Sequence, residues 1–244
     1  MFNFIKILAI LMVSVFSSLA FANDSDRVRL ALFDTPPYVF TSKNILGGLF
    51  YELARKLQDT PDINIDLKIL PRKRLADSLL SNSQDCTFLA DTHTNRRNFS
   101  LIEKTGLNID IGILPKKGVT ITKYDDLYRL RIATVRGTKL DKKYDSDRAI
   151  EKDFTTDYLM SIKMLVRNRV DAVAGSFLSF RYIAKMVGQS QSDLFGKPLV
   201  FASKSIWLVC NHTFSQKEVS KELADRLAKL RNSGAIAKIE EKYN

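Results

Sequence analysis

Strand-type and helix-type segments alternate along the sequence after residue 23, and this alternation restricts the possible folds more than any other feature. VRLALF (28–33) is a short apolar run, and INIDLKIL (63–70) alternates strictly between apolar and polar residues. Both patterns are typical of β-strands. GLFYELARKLQ (48–58), which lies between them, repeats leucine every four residues and therefore predicts a helix.

The same rhythm continues toward the C-terminus. Further strands are predicted at CTFLA (86–90), IDIGILP (109–115), RIATV (131–135), VDAVAG (170–175) and SIWLVC (205–210). Helical spacing of apolar residues occurs at 75–80, 159–165, 182–186 and 219–230, and a Ser233-Gly234 break precedes a short last helix. Interleaved strands and helices predict an α/β fold with mainly parallel sheets flanked by helices.

The first 22 residues have the composition of an export signal. One lysine, Lys6, precedes an apolar run at 7–16, and small residues follow up to Ala22. A membrane-spanning helix is the rival interpretation, but the apolar run is short for a span. We expect cleavage after Ala22 and a mature protein in the periplasm.

The charge of the chain favours small anionic partners. Its 38 basic and 27 acidic residues give a formal net charge of +11. The basic residues are scattered and form no nucleic-acid-binding motif, so we expect no nucleic acid partner. A basic surface that attracts anions is the better interpretation.

Cys86 and Cys210 are the only two cysteines, and each belongs to an apolar, strand-like segment. Buried free thiols and a single disulfide are both compatible with this pattern, since disulfides persist in exported proteins. The cysteines have no metal-ligand spacing, and the sequence indicates neither a metal nor a cofactor.

The segment TFLADTHTNRRN (87–98) runs from a predicted strand into a polar turn that contains Arg96 and Arg97. Open parallel sheets bind ligands beyond the carboxyl ends of their strands. The segment is therefore a candidate for ligand binding, although an ordinary solvated loop would have similar composition.

Taken in order, six segments resemble the bacterial extracellular solute-binding proteins of family 3, the periplasmic receptors of polar amino acid ABC importers. The segments are DTPPYVF, GGLFYELARKL, PRKRLADSLLSNSQDCTFLADTHTNRR, LRIATVRGTKL, MLVRNRVDAVAG and LAKLRNSGAIAKIEEKY. Each is weak alone, but their order spans the whole mature chain.

The resemblance implies a two-lobed type II periplasmic-binding fold. The first lobe would combine residues 24–107 with 204–244, the second would be 108–203, and two hinge strands would join them. A small solute would bind between the lobes and close them. A membrane permease would then recognise the closed form of what we expect to be a monomer.

The resemblance also assigns roles to individual residues. Arg97 corresponds to the arginine that grips the ligand's carboxylate, for which a guanidinium offers a planar pair of donors. Gly137 and Thr138 correspond to the turn that meets the carboxylate from the second lobe, although Thr138 also fits a generic helix cap. Tyr38 corresponds to a ring stacked on the ligand or to one that stabilises its own proline turn, and Arg74 to an arginine near the cleft mouth.

One departure from the family pattern bears on the ligand. Ser176 stands where amino acid receptors usually carry the acidic residue that pairs with the ligand's ammonium group. Asp34 and Asp91 are the candidates to replace that acid. We expect Thr92 and Ser176 to hydrogen-bond the remainder of the ligand.

The leading hypothesis is a non-enzymatic receptor for a small carboxylated solute, amino-acid-like or an organic acid, that serves an ABC importer. The sequence leaves three alternatives open: a ligand sensor for a membrane signalling protein, a dehydratase-type enzyme on the same scaffold, and a relative whose cleft no longer binds tightly.

Overall fold

The computed structural model describes residues 27–42, 45–59 and 63–243 and places them in a mixed sheet of eight strands flanked by helices, beside a small two-stranded ribbon. The predicted export signal and its cleavage site lie outside the described residues. The strands are β1 Arg27–Phe33, β2 Phe40–Ser42, β3 Ile45–Gly47, β4 Asn64–Leu70, β5 Cys86–Ala90, β6 Ser100–Pro115, β7 Arg131–Val135, β8 Glu151–Thr155, β9 Ala172–Ser176 and β10 Leu199–Cys210. The helices are α1 Leu49–Gln58, α2 Arg72–Leu80, α3 His93–Asn98, α4 Lys142–Ser146, α5 Tyr158–Val166, α6 Phe177–Met186, α7 Gln191–Leu194, α8 Glu218–Asn232 and α9 Ala235–Glu241, with 3-10 turns at Tyr124–Arg129 and Phe214–Gln216.

The order of the strands confirms the predicted α/β class. The large sheet runs β4-β1-β5-β10-β6-β9-β7-β8. At one end β1 pairs in parallel with β4 and β5, and at the other end β7 pairs in parallel with β8 and β9. The antiparallel pairs lie in the middle, where β10 pairs with β5 and β6, and β6 pairs with β9.

Two long strands connect the two ends of this sheet. β6 and β10 stay paired from Cys210 opposite Ser100 to Leu199 opposite Ile113. One apolar core surrounds Leu30 and Phe88, and a separate one surrounds Ile132. The molecule is therefore two-lobed, with β6 and β10 as the hinge strands. The exact boundaries at 107/108 and 203/204 stay a prediction.

The pairing of the hinge strands is irregular at their midpoint. The register shifts between Ser205 and Trp207, and the Thr105 hydroxyl donates to the carbonyl of Ile206 over 2.8 Å. The same hydroxyl accepts from the Leu107 amide over 3.1 Å. A side chain thus replaces part of the backbone ladder at the point where the lobes meet.

A substitution at Gly112 tests how tightly the hinge strands β6 and β10 pack against each other. A β-carbon there would lie 2.1 Å from the Leu199 carbonyl oxygen, so Gly112→Ala must push the two backbones apart. We expect urea unfolding to show a loss of about 1–3 kcal/mol, as is usual for overpacking. Gly47→Ala is the matched control, because its β-carbon would meet only the Phe40 ring, at 3.5 Å. An equal loss of stability in both variants would contradict the close packing of β6 against β10 at Gly112.

A disulfide joins Cys86 and Cys210, with an S–S distance of 2.02 Å. The two cysteines lie opposite each other in β5 and β10 and are fully buried. The sequence left the choice between free thiols and a bridge open, and the structure shows the bridge. It ties the C-terminal part of the chain back to the N-terminal part of the first lobe.

Aromatic side chains make a second connection between the lobes. Tyr182 of α6 packs against Phe40 of β2 and Tyr243 near the C-terminus, with ring centroids 5.5 and 6.1 Å apart. The Tyr243 hydroxyl donates to Glu52 over 2.6 Å, which fixes that ring on α1. The C-terminal residues thereby help hold the second lobe against the first.

Candidate functional site

A cleft with a volume of about 810 Å³ lies between the two lobes. This size is within the range of ligand sites in proteins. Its lining residues are Phe33, Thr35, Tyr38, Phe50, Phe88, Leu89, Ala90, Thr92, Thr94, Asn95, Ile109, Ile111, Gly137, Thr138, Lys139, Leu140, Asp141, Lys142, Asp145, Ser146, Tyr158, Ser176, Ser179, Lys204 and Ile206. Apolar and hydroxyl-bearing side chains dominate this wall.

Tyr38 and Ser176 touch each other across the cleft. The Tyr38 hydroxyl lies 3.2 Å from the Ser176 hydroxyl oxygen, and both residues are buried. Burial raises the pKa of Tyr38 well above its ordinary value, so the hydroxyl keeps its proton at physiological pH. Ser176 also caps α6, where its hydroxyl accepts from the Ser179 amide over 3.4 Å. Both residues line the cleft, and their contact links the lobes; their roles in ligand binding stay a prediction.

Tyr38→Phe should let the lobes separate more easily. The change removes one buried hydrogen bond between the lobes, worth about 1 kcal/mol, or roughly a fivefold shift in the balance of closed and open forms. Small-angle X-ray scattering should show a larger mean radius of gyration than for wild type. Tyr51→Phe is the control, because Tyr51 lies outside the cleft lining. No difference between the two variants would contradict the role of the contact.

The second lobe contributes the turn that follows β7. Gly137 has a φ of 78° there, and a β-carbon would meet no atom within 4 Å, so backbone conformation rather than space favours glycine. Gly137 and Thr138 both line the cleft. The Thr138 amide donates to the Val135 carbonyl over 3.1 Å. Thr138 therefore offers a ligand its hydroxyl, and its binding role stays a prediction.

Helix α3 carries the two adjacent arginines, Arg96 and Arg97. Thr92 is its N-cap, where the hydroxyl accepts from the Asn95 amide over 3.1 Å, and both residues line the cleft. Arg96 is exposed and pairs with Asp91. Arg97 is also exposed and lies outside the cleft lining. The polar side chains that α3 contributes to the lining are those of Thr94 and Asn95, and the ligand-binding role of Arg97 stays a prediction.

Arg74 and Asp34 are also outside the cleft. Both side chains are exposed, and neither belongs to the lining. Phe33 and Thr35, on either side of Asp34, do line the cleft. Side chains that alternate along an extended chain point to opposite sides, so Asp34 faces solvent. The structure thus places Asp34 outside the lining, and its role as the acidic partner stays a prediction.

Sequence reasoning missed Lys204, which is half-buried in the hinge strand β10 and lines the cleft. It has no ion-pair partner among the described residues. Its register partner across the hinge is Ile109, which also lines the cleft. The available signal was a single lysine between two serines in the otherwise apolar strand LVFASKSIWLVC.

Within the part of the chain that the structure describes, no group of His, Cys, Asp and Glu side chains is arranged to hold a metal ion. In those same residues, no helix combines the length and the apolar character that crossing a membrane requires.

Comparisons with solved structures identify the fold of this chain. No protein-family model and no curated protein matches the sequence. Among solved structures, the P235GK mutant of ArgBP from T. maritima superimposes with a TM-score of 0.72 at 19% identity, over 89% of this chain and 95% of that one. The GluR0 ligand-binding core from Nostoc punctiforme, in complex with L-glutamate, gives 0.72 at 18% identity, over 88% and 98%. The chain has the two-lobed periplasmic-binding-protein fold.

A sensor domain also shares this periplasmic-binding-protein fold. A histidine kinase sensor domain with similarity to periplasmic binding proteins gives a TM-score of 0.71 at 16% identity, over 89% of this chain and 95% of that one. At these identities the likeness establishes the fold alone, so the role of the cleft has to be argued from its own residues.

Proposed function

We propose that this protein captures a small carboxylated solute in the cleft between its lobes. The observation that carries the proposal is Lys204, a half-buried cation at the base of an 810 Å³ cleft with no ion-pair partner among the described residues. Removing a charge from water is costly unless a counter-charge compensates for it. A ligand carboxylate at this position supplies that counter-charge.

The walls provide the remaining contacts that such a ligand needs. Tyr38 and Ser176 offer hydroxyls from opposite lobes, and Thr92 and Thr138 offer two more. A solute that contacts both walls binds the closed form more tightly than the open form, and therefore shifts the population toward closure. Binding of the solute therefore closes the two lobes about the hinge strands β6 and β10.

Delivery of the solute to the permease of an ABC importer is the role we favour for this protein. The neighbours include ArtJ, an arginine-, lysine-, histidine-binding protein, and this supports capture of a small solute by analogy. The histidine kinase sensor domain among the neighbours favours a second candidate, a periplasmic sensor for a membrane signalling partner. Co-purification from cross-linked membranes, with a permease or with a signalling protein, distinguishes the two.

A dehydratase-type enzyme has less support from the cleft. Of the two carboxylates in the lining, Asp141 accepts from the amides of Lys143 and Tyr144, and Asp145 accepts from the amide of Leu140. Neither histidine of the chain is in the lining. Catalysis of proton transfer needs a group positioned for it. Stoichiometric binding without turnover is the expected result for any ligand found.

Thermal unfolding of the mature protein with a panel of amino acids, dicarboxylates and apolar monocarboxylates tests the proposed function. A true ligand at one hundred times its dissociation constant should add about 2.7 kcal/mol of stability. If no carboxylate in the panel raises the melting temperature, the proposal fails.

Arg97→Ala tests whether Arg97 contributes to ligand binding. Because Arg97 is exposed and outside the lining, we expect the variant to bind the best ligand within about twofold of wild type, as is usual for surface changes. Isothermal titration calorimetry measures the two dissociation constants. A loss of tenfold or more would restore Arg97 to the binding site.

A further inference from the structure

The charged side chains of the cleft are distributed unequally. The wall from the first lobe, residues 33–95, contributes no charged side chain to the lining. The hinge strands contribute one, Lys204. The other four, two lysines and two aspartates, all belong to the single segment 139–145 of the second lobe. The base of the cleft is therefore cationic, and acidic groups lie on one wall only.

Those acidic groups are already engaged by the backbone. One oxygen of Asp141 accepts two amide hydrogens at 2.9 and 3.0 Å as the cap of α4. Both oxygens of Asp145 accept from the Leu140 amide, at 3.3 and 3.2 Å. Lys139 and Lys142 lie beside them in the same segment. Within the cleft lining, a ligand ammonium next to Lys204 would thus meet a cation, and the two carboxylates of the lining already accept backbone amides.

Apolar side chains in the lining keep part of their surface open to a ligand. Ile109, the register partner of Lys204, is only half-buried. Phe33 and Leu89 of the first lobe also line the cleft and are half-buried. Such a wall binds hydrocarbon well, but it leaves a second charge without a partner.

Resting on the proposed function, we propose that the solute is an apolar carboxylic acid without an amino group. Its carboxylate pairs with Lys204, and its hydrocarbon part lies against Ile109, Phe33 and Leu89. The cleft therefore discriminates between an acid and the corresponding amino acid. We expect a preference of at least tenfold for the acid.

Matched ligand pairs test this inference by calorimetry on the mature protein. The pairs are 3-phenylpropionate with L-phenylalanine, and 4-methylpentanoate with L-leucine, which differ only by the amino group. Tighter binding of the amine-free member in either pair supports the inference. Equal or tighter binding of the amino acid overturns it and leaves the proposed function intact. If none of the four binds while another carboxylate from the unfolding panel does, the ligand class is wrong; if no carboxylate binds at all, both proposals fail.

Ser176→Asp supplies a second, independent readout. Aspartate is as good a helix cap as serine, so α6 keeps its N-terminal cap. The change adds a carboxylate to the wall opposite Tyr38. The preference for 3-phenylpropionate over L-phenylalanine should fall by roughly tenfold, because the ammonium gains a partner. An unchanged preference in a folded variant, checked by circular dichroism, contradicts the inference.

Discussion

Replacing Cys86 and Cys210 together by alanine should lower the free energy of unfolding by about 2–5 kcal/mol. The bridge joins residues 124 positions apart, and that interval contains the whole predicted second lobe. Closing so long a loop removes much of the entropy of the unfolded chain, whereas the folded strands β5 and β10 are already paired without it. Urea unfolding measures the loss as a lower midpoint at an unchanged ligand affinity.

The reduced wild-type protein is the control for that prediction. Alanine removes both the cross-link and two buried sulfur atoms, whereas reduction removes only the cross-link. If the cross-link dominates, the two losses agree to within about 1 kcal/mol, the usual cost of a small packing change. A loss below about 0.5 kcal/mol in both would show that the sheet alone holds β10 in place.

Most of the fold was predictable because local patterns and global architecture agree. The strict alternation at 63–70 became β4, and the leucine repeat at 48–58 became α1. The short strands β2, β3 and β8 and the first halves of β10 and β6 were not predicted, and β6 is the clearest case. Its first half, SLIEKTGLN, mixes charged and apolar residues, since a strand that crosses between lobes is exposed along part of its length. Its pattern therefore lacks a clean period.

The role of Arg97 depends on which of two threonines marks the ligand side of α3. The resemblance places Arg97 three positions after Thr94, whereas in the structure Thr92 is the N-cap and Asn95 lies three positions after it. Thr92, Thr94 and Asn95 line the cleft, and Arg97 does not. Sequence alone does not reveal which threonine caps the helix.

A different reason explains why Lys204 was not predicted from the sequence. A lone lysine in an apolar strand is usually a surface charge, and only the pairing of β10 with β6, which sets Lys204 opposite Ile109, places that position in the cleft lining. The sequence identified the elements on either side of the ligand site but not the charge at its base, because that charge depends on a contact between strands about 100 residues apart.

Lys204→Met should weaken binding of the best carboxylate ligand by thirtyfold or more. Losing one partner of a desolvated charged pair costs about 2–5 kcal/mol, and each 1.4 kcal/mol is about a factor of ten. Methionine keeps most of the side chain's length and apolar contacts, so the change isolates the charge. Titration followed by the fluorescence of Trp207, the only tryptophan of the chain and three positions along the same hinge strand, measures both affinity and closure.

The stability of this variant separates a binding role from a structural one. Lys204 has no ion-pair partner among the described residues, so the unliganded Lys204→Met protein should be as stable as wild type or more stable, because a half-buried charge is gone. Lys204→Arg should restore part of the affinity, since the charge returns with a different donor geometry. If methionine lowers stability and leaves affinity unchanged, Lys204 supports the hinge instead, and the ligand's charge must be met elsewhere in the cleft.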